Sequence, residues 1–97
     1  MTLQSLTSKY ISSAEHVFHH VKLIETPITV DHAHVSEVMD SAKAYLEDAK
    51  HYSEKKKFEV SLTSIAYCEG LLDALRLLGA VTFEWPTMKE EEKTSER

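Results

Sequence analysis

Apolar positions along this chain recur with a period near 3.6 residues, the spacing of one helix face, rather than the period of two that marks a strand. Between residues 3 and 24 the repeat is clean. Leu3, Leu6, Tyr10, Ala14, Val17, Val21 and Ile24 fall on one stripe, Ile11 and Phe18 widen its edge, and Lys9, Ser12, Glu15, His16, His19 and Lys22 face away. This predicts an amphipathic helix over residues 3–24. Pro27 disfavours helix in the residue before it, so residues 25–30 read as a connection.

A second helix is predicted over residues 31–55, with Asp31 as a suitable N-cap. Its dry face holds Val35, Val38, Met39, Ala42, Tyr45, Leu46, Ala49 and Tyr52, against Glu37, Asp40, Lys43, Glu47, Lys50 and Glu54 on the wet side. Ala42 and Ala49 sit between the large tyrosines, which lets a neighbouring helix approach closely. Lys55, Lys56 and Lys57 crowd the C-terminus, where cations meet the helix dipole favourably. The phase breaks at residues 56–58, which mark a turn.

The third predicted helix, residues 59–78, is different. Val60, Ile65, Cys68, Leu71, Leu72, Leu75 and Leu78 form one broad arc, yet Leu62, Ala66, Tyr67, Ala74 and Leu77 carry apolar surface nearly all the way round. Its one defined polar stripe is Glu69, Asp73 and Arg76. A helix apolar on most sides must be covered on most sides, and two neighbours in a bundle cover only part of it. Gly79 supplies the residue past the helix end. Beyond it, Val81, Phe83 and Trp85 alternate with Thr82 and Glu84, the pattern of an extended strap laid over the bundle or over a second subunit. Residues 86–97 have nothing to bury and read as a disordered tail.

The chemistry narrows the picture further. The chain has 97 residues, two glycines, one cysteine and a formal charge of −5. That length is one domain, here residues 1–85, and the acidic balance excludes nucleic acid as a primary partner. No apolar run reaches a membrane span and no signal-peptide pattern is present, so a cytoplasmic protein is expected. Cys68, alone and on an apolar arc, reads as a buried structural thiol in a reducing compartment. His16 and His20 have the i, i+4 spacing that clamps a divalent ion, but they lie on the wet face with no third ligand, so only adventitious metal binding is expected. Asp73 and Arg76 read as an i, i+3 ion pair, and the alternative of acid–base work by Glu69 and Asp73 requires burial that shifts their pKa values apart. No catalytic or cofactor motif is present.

The segments Ala42-Lys-Ala-Tyr45-Leu-Glu-Asp48-Ala49-Lys-His-Tyr52, Ser64-Ile-Ala-Tyr67-Cys-Glu-Gly70-Leu-Leu-Asp73-Ala74 and Leu77-Leu-Gly79 resemble the archaeal Domain of Unknown Function family 357. The resemblance covers about residues 30–80. It implies an all-α, antiparallel up-and-down three-helix bundle of the albumin-binding-domain-like type, and it implies no activity. Where that family commonly turns with a Gly-Asp loop, this chain has Lys55-Lys-Lys57. The expectation is a non-enzymatic interaction or self-assembly module, by default a homodimer, with Leu62, Leu71, Leu77, Phe83 and Trp85 at the interface. The alternative is a bundle that binds a small molecule or a divalent metal.

Overall fold

A computed structural model describes residues 2–86, and the expected tail lies, from residue 87 on, outside the described residues. The described residues are all-α, with helices α1 (Leu3–His20), α2 (His32–Glu54) and α3 (Phe58–Leu77) in chain order. The second and third boundaries match those read from the pattern to within a residue.

The first helix is shorter than its stripe predicts. It stops at His20, and Val21 is already extended at φ −67° and ψ 140°. A short helix gains most of its stability from packing its apolar face, and α1 packs too little to carry the β-branched Val21 and Ile24 into another turn. Its start is well defined. Thr2 Oγ1 accepts from the Ser5 backbone N–H at 3.0 Å, and Ser5 Oγ accepts from the Thr2 N–H at 3.1 Å. These reciprocal bonds satisfy two amides that helix geometry leaves open. Asp31 caps α2 with a single bond, its side chain accepting from the His34 N–H at 2.9 Å.

α2 and α3 form an antiparallel hairpin, the one pair of helices in direct packing contact. Apart from Leu75, the buried seam is built from small residues. Ala42 and Ala49, seven apart on α2, and Cys68 and Leu75, seven apart on α3, are the buried residues among those described. With no bulk between them the backbones come close: the Ser61 hydroxyl donates to the Ala49 carbonyl at 2.7 Å, from one helix to the other. Tyr45 and Tyr67 extend the seam, their rings 4.4 Å apart and tilted by 32°.

Both helices end in the same motif. After α2, the Lys56 N–H reaches the Ser53 carbonyl (3.0 Å) and the Lys57 N–H reaches the Tyr52 carbonyl (2.9 Å). After α3, Gly79 bonds to Arg76 (3.0 Å) and Ala80 to Leu75 (2.9 Å) in the same pattern. Each is a Schellman cap, whose central residue must adopt positive φ. Gly79 does so at 78°, and Lys56 does so at 60°.

The first turns of α1 and the start of α3 line a common cleft. Thr2, Leu3, Leu6, Thr7 and Tyr10 form one wall of a cleft and Glu59, Val60 and Thr63 the other. The cleft stays open. No Cα of α1 lies within 8 Å of a Cα of α2 or α3, and none of its residues is buried.

Candidate interaction surface

The hairpin uses only one side of α3. With Cys68 and Leu75 turned to α2, helical geometry places Leu62, Ala66, Gly70, Ala74 and Leu77 on the opposite side, and all five are exposed. Leu62 and Leu77 are 69% and 77% exposed, apolar surface left in water in the single chain. Ala66, Gly70 and Ala74 are one turn apart and lay a shallow floor between these leucines. A Cβ built on Gly70 meets nothing within 4 Å, so nothing in the hairpin requires glycine there. Leu71 differs from the other expected interface leucines: it is half-buried on the flank nearer the core.

The strap lies on its own chain. The indole N–H of Trp85 donates to Asp73 Oδ1 at 2.8 Å, and Arg76 Nη2 donates to the same oxygen at 3.3 Å. The Arg76 guanidinium sits 5.7 Å from the centre of the Phe83 ring, which meets the Trp85 ring edge-on at 5.0 Å and 81°. Asp73 therefore anchors two donors, and the Phe83 ring, braced edge-on by Trp85, lies over Arg76. The Trp85 hydrogen bond, helped by the Arg76 bond and charge, holds the Asp73 carboxyl below its ordinary range, against partial desolvation. The i, i+3 pair of Asp73 and Arg76 is present, while Glu69 stays exposed outside this cluster. The polar stripe of α3 is a mooring for the strap.

Cys68 is 4% exposed, and burial, with the Glu69 charge second, pushes its thiol up, which disfavours the nucleophilic thiolate. His16 and His20 stack with ring centres 4.3 Å apart, and His20 Nδ1–H donates to the His16 carbonyl at 2.8 Å. Among the described residues no three histidine, cysteine or carboxylate side chains converge as a metal-binding group. No described helix is long and apolar enough to cross a membrane.

The pattern of apolar positions shows that α3 has surplus surface, and the one-turn spacing of Ala66, Gly70 and Ala74 is a sequence signal for its flat outer face. The mooring of Trp85 on Asp73 has no such signal. The two residues are twelve apart in separate elements, and no periodicity links them.

No curated protein and no solved structure matches the chain. One family model does, over residues 9–81, a span that takes in most of α1, all of α2 and α3 and the start of the strap. The chain belongs to that family, described as Protein of unknown function (DUF357).

Proposed function

We propose that this protein is a non-enzymatic interaction module that completes its hydrophobic core by associating with a second copy of itself. One observation carries this reading: the described residues bury little beyond Ala42, Ala49, Cys68 and Leu75, while Leu3, Phe18, Leu62 and Leu77 stand 65–81% exposed. Surface of this kind is removed from water at a gain of about 25 cal/mol per Å², and exposed apolar patches that exceed the usual size mark interaction sites. A symmetric homodimer is the default arrangement. A single buried thiol and an acidic surface suit a reducing cytoplasm.

The test is the absolute mass in solution by light scattering, on the full chain and on Leu62→Glu and Leu77→Glu variants. Both leucines are exposed in the single chain, so the helical circular dichroism should survive. The full chain is expected at twice 11.1 kDa or more, and the variants at 11.1 kDa. A full chain that is monomeric across its soluble concentration range would refute self-association.

A further inference from the structure

We propose that His16 and His20 form a two-point chelate for a zinc ion, which clips together the last turn of α1. The site is independent of the self-association proposed above.

The i, i+4 spacing puts both side chains over the same turn of the helix, where both are exposed. Spacing alone would leave the two rings free to turn, and the structure adds two constraints. The first is their separation. The rings lie against each other with centres 4.3 Å apart and planes tilted by 33°. Two imidazole nitrogens that hold one zinc ion at about 2.0–2.1 Å, near the tetrahedral angle, put their ring centres roughly 5 Å apart. The pair therefore opens by less than about 1 Å to admit the ion.

The second constraint is the proton on His20. Its Nδ1–H donates to the His16 carbonyl at 2.8 Å. A carbonyl only accepts, so the neutral ring carries its proton on Nδ1 and its lone pair on Nε2. A histidine that ligates a metal almost always donates its other ring N–H to a carbonyl, a carboxylate or water, which fixes the tautomer and the ring orientation. His20 already makes that bond within its own helix.

Two ligands from the chain leave two tetrahedral positions to water. This is a clip rather than a closed four-ligand site, consistent with no three ligating side chains converging among the described residues. His19, about 100° round the helix from His20, lies off this face. The position on the helix gives the clip its effect. α1 buries none of its residues and gives way to extended backbone at Val21. Its last turn is closed by the Val21 N–H on the Val17 carbonyl at 2.7 Å. A helix end without buried contacts opens at little cost. The two rings reach one ion only while the turn between them is helical. Zinc therefore binds the closed turn and not the open one, and stabilises it by mass action.

The experiment titrates zinc chloride into the full chain, without an affinity tag, by calorimetry at about pH 7.5, where free imidazole is largely neutral. One ion per chain is expected. Two linked ligands bind about 10²–10⁴ more tightly than either alone, so His16→Ala and His20→Ala should each weaken binding by at least about 100-fold. His19→Ala should leave the affinity unchanged. In histidine-ring nitrogen spectra zinc should move Nε2 of His20 while Nδ1 stays protonated. With free zinc at about ten times the dissociation constant, amide exchange at His20 and Val21 should slow about tenfold, and His20→Ala should abolish the slowing. Zinc bound equally well after both histidines are replaced would be adventitious binding elsewhere and would overturn the site. No saturation by about 1 mM free zinc, or equal sensitivity to His19→Ala, would overturn it too. Binding through both rings with no slowing of exchange would overturn the clip.

Discussion

The two Schellman caps make a matched pair from which the cost of a single side chain can be read. Lys56 holds φ at 60° in the hairpin turn, and Gly79 holds 78° after α3, with the same two backbone bonds in each cap. An L-residue in this region costs about 1–2 kcal/mol because its Cβ crowds the following carbonyl. Replacing Lys56 with glycine removes that cost, while the extra freedom of glycine in the unfolded chain returns about 0.5–1 kcal/mol. Lys55 and Lys57 remain beside the carbonyl end of α2, so the dipole term changes little. The net expectation for Lys56→Gly is a gain of roughly 0.5–1 kcal/mol, which raises Tm by about 2–8 °C in a domain of this size. Gly79→Ala should move the opposite way by about 1 kcal/mol, through backbone strain alone, because a Cβ there meets nothing within 4 Å. The assay is thermal and urea unfolding followed by circular dichroism at one fixed protein concentration, since the Tm of a self-associating protein depends on concentration. Lys56→Ala is the control: it removes the charge and keeps the Cβ, so it should stay within about 0.5 kcal/mol of the parent. If Lys56→Gly gains nothing over Lys56→Ala, the left-handed lysine carries no strain and the reasoning fails.

Trp85 is the one tryptophan in the chain, so its emission reports the strap. The Asp73 carboxyl is depressed in the folded state, so its contribution is complete above the ordinary carboxylate pKa of about 3.9 and is lost as pH falls through the lower folded value. Emission should hold steady from neutral pH down to that range and then shift to the red, and Asp73→Ala should show the shifted emission at every pH. A transition centred near pH 6 would instead assign the strap to a histidine. In the seam, Ala49→Leu should destabilise by about 1–3 kcal/mol through overpacking, measured as a lower urea midpoint. Ala44→Leu, exposed on the same helix, should change stability by less than about 0.5 kcal/mol.

Much of this architecture was legible because helix packing writes itself into the period of apolar positions. The alternation of alanine with tyrosine in α2 announced close approach, and Ala42 and Ala49 are the two residues α2 buries. The lysine run and break of phase located the turn between α2 and α3. The end of α1 was not legible, because its stripe continues through Val21 and Ile24 without interruption. A stripe records what a helix needs to bury, and the helix forms only as far as something stabilises it. The α2 start was readable from Asp31, a local capping signal, whereas α3 starts at Phe58 behind Lys57, which makes no side-chain cap bond, and only the loss of phase marks it.

The same distinction governs the candidate surface. Leu62, Leu77 and the strap were visible as surplus apolar residues, but the strap's place depended on Asp73 accepting from Trp85, a contact made by tertiary geometry between residues with no common period. Its consequence is specific. With Phe83 and Trp85 held at Asp73 and Arg76, one flank of outer α3 is already occupied. The uncovered surface comprises Leu62, Thr63, Ala66, Gly70, Ala74 and Leu77. That strip is one helix wide, and the leucines at its ends, Leu62 and Leu77, stay exposed.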